Sequence, residues 1–205
     1  MIHETLDTLA GEGVTHAAME ASSHGLVQYR LDGVKLAAVA FTNLTQDHLD
    51  YHADFNDYRS AKLRLFSELA PEGALAVVNA DSPETPVFED AARDAGLKLF
   101  SVGWRGADLK IRELSPRATG QVMDVRYQGN AYEVHLPLIG EFQALNALTA
   151  AGLAIGLGLA PEAVFEAMAT LTTVKGRLEL VGEKSGGGAV FVDYAHTPDG
   201  LDVLL

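Results

Sequence analysis

The sequence contains no cysteine, so disulfides, thiolate metal sites and a cysteine nucleophile are excluded. No run of 18 apolar residues occurs, which leaves no candidate for a membrane-spanning helix. The start, Met1-Ile2-His3-Glu4, lacks the basic segment and apolar stretch of a secretory signal. Basic residues are scarce: 15 Lys and Arg stand against 28 Asp and Glu, a net charge of −13. Such a chain repels nucleic acid and anionic membrane, so neither is an expected partner, and phosphate binding would call for a metal cation. The phosphate-loop pattern G-x-x-x-x-G-K-[ST] is missing, because no lysine is preceded by Gly and followed by Ser or Thr. The Gly-x-Ser-x-Gly elbow is missing too, which leaves a serine hydrolase of that type unsupported.

The 205 residues are 48% apolar and 21% charged, a globular composition with enough apolar surface for one core. Short apolar runs lie at Val14 to Met19, Lys35 to Phe41, Ala74 to Val78 and Leu97 to Val102, with helical stretches between. Continuous apolar strands alternating with helices predict an α/β fold, a mostly parallel sheet covered by helices. In such sheets ligands gather at the carboxyl ends of strands, so Glu20-Ala21-Ser22-Ser23-His24 and Thr42-Asn43 carry the most functional weight. The middle alternates with period two: Met123, Val125 and Tyr127, then Tyr132, Val134, Leu136 and Leu138, with Gly129-Asn130 as the turn. About 108–138 therefore reads as a small antiparallel β unit inserted in the α/β domain. Helices are expected over Phe142 to Leu157 and from Pro161 to about Leu171. Gly186-Gly187-Gly188 breaks the chain before a strand at Ala189 to Val192. A last helix opens after Pro198, and its end at Leu205 is expected to be a truncation.

Placed on a helix, Tyr58, Ala61, Leu65, Phe66 and Leu69 form one apolar arc, and Lys62 falls inside it. Arg59, Ser60, Arg64 and Ser67 fall on the other side. A lysine in an apolar arc must snorkel, pair with an acid, lose its proton or be chemically modified. Carbamylation by CO2 would turn the cation into a carboxylate-like metal ligand. Just upstream, His48 and His52 lie four apart in Asp47-His48-Leu49-Asp50-Tyr51-His52, a spacing open to metal binding, while Asp47 or Asp50 also suits a helix cap.

Several motifs in order resemble one family. They are Glu20-Ala21-Ser22-Ser23-His24-Gly25-Leu26 with Gln28 and Arg30, then Phe41-Thr42-Asn43-Leu44-Thr45-Gln46-Asp47-His48-Leu49-Asp50-Tyr51-His52, then Tyr58, Ala61-Lys62 and Leu65-Phe66. Gly140-Glu141-Phe142 with Asn146, Ala150-Ala151-Gly152, Gly176-Arg177-Leu178-Glu179 and Asp193-Tyr194-Ala195-His196-Thr197-Pro198-Asp199 complete the set. From about 14 to 205 the chain resembles the central part of the Mur ligases, and within them the MurE type.

That resemblance implies an ATP-dependent amide ligase of peptidoglycan precursor synthesis, a cytoplasmic enzyme that uses ATP and Mg2+. It would add a third amino acid, diaminopimelate or lysine, to UDP-MurNAc-L-Ala-D-Glu through an acyl phosphate. By position Lys62 matches the family's carbamylated lysine, and Glu20 and His48 match further metal-site residues. Ser22, Gln28 and Arg30 match residues that hold the muramyl substrate. Asn146, Arg177, Asp193 and His196 match positions near the nucleotide, whereas Tyr51, His52 and Tyr58 read as structural. The resemblance divides the chain into a central ATP-binding domain, 1–180, and the start of the C-terminal ligase domain, 181–205. In the family the phosphate loop and the uridine-binding domain precede this stretch, and most of the C-terminal domain follows it. These 205 residues are therefore expected to be inactive by themselves, with apolar strand edges exposed. Two other readings compete: a different ligase of the superfamily (MurF, folylpolyglutamate or cyanophycin type), or a non-catalytic binding remnant.

Overall fold

The computed structural model describes residues 2–45, 51–196 and 200–201. Its helices are α1 (Ile2–Gly11), α2 (Ser23–Val27), α3 (Phe55–Arg64), α4 (Thr85–Asp94), α5 (Glu141–Gly156) and α6 (Pro161–Met168). Its strands are β1 (Ala38–Phe41), β2 (Leu75–Asn79), β3 (Lys98–Gly103), β4 (Leu109–Arg117), β5 (Gly120–Tyr127), β6 (Asn130–Leu136), β7 (Glu179–Glu183) and β8 (Ala189–Val192). Strands β1 to β6 are hydrogen-bonded in sequence order in one sheet, and β7 pairs with β8 in a second. Among the described residues no helix is long and apolar enough to cross a membrane.

The chain divides into two compact units. The first holds Met1–Val39, Gln46–Ala76 and Pro86–Leu99, the second Ala40–Thr45, Val77–Thr85 and Phe100–Leu205. In the first, α3 continues into a π-helical turn at Leu65–Leu69, and Phe66 meets Phe88 of α4 edge to face at 5.3 Å. Both rings are almost fully buried, so this aromatic pair is part of that unit's core. In the second, α5 lies close to strand side chains at Gly152, where an added Cβ would stand 2.9 Å from Val102 and 3.0 Å from Val77. The small residue lets helix and sheet approach.

The mostly parallel sheet flanked by helices is the architecture the apolar runs predict. All five residues of β2 are buried, as a strand covered on both faces must be. The run Val14 to Met19, however, is not a strand. Residues 14–22 form neither helix nor strand, and Val14 and Met19 are 43% and 39% exposed. A strand exists only where a neighbour completes its ladder. An apolar run carries no information about that neighbour, and β1 is the edge of this sheet. Glu20 consequently sits on an exposed segment outside the helices and strands and not at a strand tip. The second run yields strand only from Ala38.

The meander at 109–136 is antiparallel throughout, β4 with β5 and β5 with β6. It also pairs parallel with β3 through Val102↔Leu109 and Gly103↔Lys110, so it extends the main sheet. The β5–β6 turn is Gln128-Gly129, one residue earlier than Gly129-Asn130. Both have positive φ, 49° and 84°, and Tyr127 pairs with Asn130 across them. Two left-handed residues make the turn whose twist matches the strands. The helix expected after Pro198 falls largely outside the described residues.

Candidate active site

In the first unit, the segment from Glu20 to Asp32 is fastened to α3 by side-chain bonds at both ends and in the middle. Asp54 caps α3, its side chain accepting from the Asp57 amide at 2.9 Å. Tyr58 and Ala61 are buried on the apolar arc, and Lys62 is half-buried beside them. The Lys62 ammonium donates to the Ala21 carbonyl at 3.0 Å and lies 6.0 Å from the centre of the Tyr58 ring. Burial holds its pKa below the ordinary lysine value, and the nearby Glu20 carboxylate pulls it back up. Lys62 thus meets the backbone next to Glu20, 41 residues upstream. His48 lies outside the described residues.

Ser22 caps α2, its hydroxyl oxygen accepting from the Gly25 amide at 3.1 Å and leaving the hydroxyl proton to donate elsewhere. Gln28 and Arg30 are exposed, and Arg30 donates to the Gln28 side-chain oxygen at 2.5 Å. Tyr29, between them, has φ 58°, a left-handed conformation uncommon for a bulky side chain.

Two side-chain systems escape the sequence reading. In the first, Ser23 Oγ lies 3.0 Å from His52 Nε2, and His52 Nδ1 lies 3.0 Å from Asp57 Oδ2. Asp57 also accepts from the Ala53 amide at 3.2 Å. With Asp57 as acceptor, Nδ1 carries the ring proton and Nε2 accepts from Ser23. The atom order is that of a hydrolase triad, but Ser23 is 5% and His52 4% exposed. A hydroxyl that an acyl carbon cannot reach serves as a brace between α2 and the start of α3. The second system is Arg64. Expected on the solvent side of α3, it is turned inward, with its side chain 14% exposed and hydrogen-bonded to Leu26, Asp32 and Glu68. The planar fork satisfies its donors against a carbonyl and two carboxylates, which overrides the helical periodicity. Neither contact is local in sequence, so neither leaves a periodic signal.

In the second unit, the carboxyl ends of the strands are tied together. The Asn79 amide donates to the Thr42 carbonyl at 2.8 Å, and Asp81 accepts from the amides of Trp104 and Arg105 at 2.7 and 3.0 Å. Trp104 Nε1 donates to Glu141, in the first turn of α5, at 2.7 Å. Asn146 stands exposed further along α5. The backbone carbonyl of Arg177 accepts from Gln143 of the same helix at 3.3 Å. Asp193 accepts from the amides of Leu178 at 2.8 Å and Ala195 at 2.7 Å, and the Tyr194 amide donates to the Gly176 carbonyl at 2.9 Å. The Gly176-Arg177-Leu178-Glu179 and Asp193-Tyr194-Ala195-His196 motifs therefore form one corner, with His196 exposed and its Nδ1 2.8 Å from the Tyr194 carbonyl.

A family model, the Mur ligase middle domain, matches residues 1–154. The chain belongs to the Mur ligase middle domain family. A Caulobacter vibrioides relative, named UDP-N-acetylmuramoyl-L-alanyl-D-glutamate--2,6-diaminopimelate ligase, is 51% identical over 204 residues, 100% of this chain and 42% of that relative. A relative of the same name from Zymomonas mobilis is 43% identical over 94% of this chain and 40% of its own length. A solved structure of a ligase with that name superposes with a TM-score of 0.84 at 31% identity, covering 98% of this chain and 41% of its own. A Mycobacterium tuberculosis folylpolyglutamate synthase complexed with ADP superposes at 0.67 with 27% identity, covering 84% of this chain and 38% of its own. The chain spans about two fifths of the length of the curated relatives it matches. The likeness to Mur ligases read from the motifs thus holds over the whole chain.

Proposed function

We propose that this chain is the ATP-using middle part of a ligase that joins 2,6-diaminopimelate to UDP-N-acetylmuramoyl-L-alanyl-D-glutamate. The observation that carries the reading is identity of about half along the entire chain to relatives bearing that name. It favours this ligase over the folylpolyglutamate, cyanophycin and MurF types, and diaminopimelate over lysine. The division at residue 180, with 181–205 opening a further ligase domain, is part of the same reading, as is a cytoplasmic site of action.

In this reaction the D-glutamyl carboxylate attacks the γ-phosphorus of ATP and ADP leaves, giving an acyl phosphate. The amine of diaminopimelate then adds to the acyl carbon, and phosphate and a proton depart as the amide forms. Negative charge gathers on phosphates in a chain that is itself strongly acidic. Mg2+, when bound, supplies the compensating positive charge. Its fit to the described residues is conditional on chemistry at Lys62. As an ammonium Lys62 repels a cation, whereas a carbamate on Nζ would join Glu20 in offering hard oxygen donors, with His48 as a further ligand. Carbamate formation needs the neutral amine: its lone pair attacks CO2, the N–C bond forms, and a proton leaves to solvent. Burial of Lys62 favours that neutral form.

Ser22, through its free hydroxyl proton, and Gln28 and Arg30 would hold the muramyl peptide, with the Arg30 guanidinium suited to a carboxylate or phosphate. Asn146, Arg177, Asp193 and His196 would line the nucleotide. The test places residues 1–205 in the matching segment of the Caulobacter vibrioides ligase and follows ATP-dependent phosphate release. Turnover that requires both the muramyl dipeptide and diaminopimelate is the expected result; turnover with a folate substrate instead would overturn the reading. The 205 residues alone, which lack a phosphate-loop motif, are expected to release no phosphate at ligase rates.

A further inference from the structure

Arg64, its side chain 14% exposed, gathers five contacts around one guanidinium. Its Nη1 donates to the Leu26 carbonyl at 2.8 Å and to Asp32 Oδ1 at 2.9 Å, and its Nη2 donates to Asp32 Oδ2 at 2.6 Å. Its Nε donates to Glu68 at 2.7 Å, and its guanidinium lies 4.3 Å from the centre of the Tyr29 ring. Leu26 and Asp32 bracket the turn that carries Gln28, Tyr29 and Arg30. Within that turn Gln28 and Arg30 hang on backbone bonds to His24 and Gly25, and Tyr29 occupies a left-handed conformation. A bulky left-handed residue persists only where its surroundings hold it. The guanidinium does so from both flanks and from above the ring.

We infer that Arg64 is a positioning residue for the muramyl-peptide contacts: it locks the 26–32 turn to α3, so that Gln28 and Arg30 are presented in one fixed pose relative to Lys62. The inference rests on the function proposed above, since only there do Gln28 and Arg30 touch substrate. Arg64 itself touches no substrate in this account. A preorganised pair loses less freedom on binding than a pair on a loose turn. The Arg64 effect therefore appears in substrate affinity and not in the chemical step. Lysine cannot reproduce the role, because a point charge cannot make the bidentate bond to Asp32 and reach Leu26 at once.

The experiment compares Arg64→Leu, Arg64→Lys and Asp32→Asn in the Caulobacter chimaera. Phosphate release by the unsubstituted chimaera is the control that judges the proposed function separately. Given that control, Arg64→Leu raises KM for the muramyl dipeptide about tenfold, with kcat and the KM for ATP within about twofold. Arg64→Lys recovers less than half of that loss, and Asp32→Asn gives a smaller rise in the same KM. An unchanged muramyl KM in Arg64→Leu, or a matching rise in the KM for ATP, overturns the inference and leaves the proposed function standing. Hydrogen exchange on the 205-residue chain gives an independent readout. The amides of Gln28, Arg30 and Asp32 exchange about tenfold faster in Arg64→Leu while α5 is unaffected. Unaltered exchange at those amides also overturns the inference.

Discussion

The meander β4–β6 and the Glu20–Asp32 segment with α3 are built on opposite principles. The meander is local: each strand pairs with the next, and buried Ile111, Met123, Val125, Val134 and Leu136 alternate with polar neighbours. Its information repeats every two residues. The α3 region is non-local: Lys62 reaches Ala21, His52 reaches Ser23, and Arg64 reaches Leu26 and Asp32. Its information lies in single polar atoms about 30 to 40 residues apart. A local ladder keeps its backbone bonds when one side chain changes. A net of unique bonds loses a specific partner each time, which costs about 1–3 kcal/mol where the orphaned group is buried, as Ser23 is.

The sharpest way to separate the two regions is substitution of Lys62. In the chimaera, Lys62→Ala lowers kcat by at least about a hundredfold, the scale of losing one electrostatic stabiliser, with circular dichroism unchanged. A loss below about fivefold would leave the α3 region as mere packing. Next comes Gly152→Leu, which overpacks α5 against Val77 and Val102 and costs about 2–3 kcal/mol, or roughly 5–10 °C in Tm. An unchanged melting temperature would mean that helix and sheet are not closely packed at Gly152. His52→Ala follows, at about 2 kcal/mol, since it strands the buried Ser23 hydroxyl. Hydrogen exchange should speed up in α2 and stay constant in β5, and equal acceleration in both would dissolve the contrast.

A smaller effect concerns pH. The hydrogen bond from His52, followed by that from the Ala53 amide, holds the Asp57 carboxyl below its ordinary value. A lowered acid contributes stability that is fully present above its unfolded pKa of about 3.9 and is lost as pH falls through the depressed value. Wild type and Asp57→Asn should therefore differ by a constant amount near neutrality and converge in acid; parallel acid unfolding curves would remove Asp57 from the network. The smallest effect belongs to the meander. Gln128→Gly relieves a left-handed glutamine and stabilises the β5–β6 turn by about 0.5 kcal/mol, the gain being trimmed by a freer unfolded chain. Destabilisation in chemical denaturation would contradict the turn geometry.

The same contrast explains what could be read from the sequence. Continuous apolar runs placed β2 and β3, a period of two placed the meander, a stretch rich in Ala and Leu placed α5, and helical periodicity placed the apolar arc of α3. The same reading misplaced Val14 to Met19, where the run is apolar but no ladder partner completes it. It moved the hairpin turn by one residue because Gly129 can stand at either central position. It put Arg64 on the solvent face because periodicity weighs apolar atoms and ignores a guanidinium fork. The Ser23–His52–Asp57 chain was out of reach, since hydrogen bonds across 29 residues leave no pattern in composition. Glu20 and Lys62 were named by motif, and the bond from Lys62 to Ala21 now gives a physical reason to pair them.

The most direct test of the account is a crystal structure of the chimaera with Mg2+ and a non-hydrolysable ATP analogue. It should show a carbamate on Lys62 Nζ, with Mg2+ within coordination distance of that carbamate or of Glu20. A bare ammonium still bonded to the Ala21 carbonyl, with the metal bound elsewhere, would contradict it.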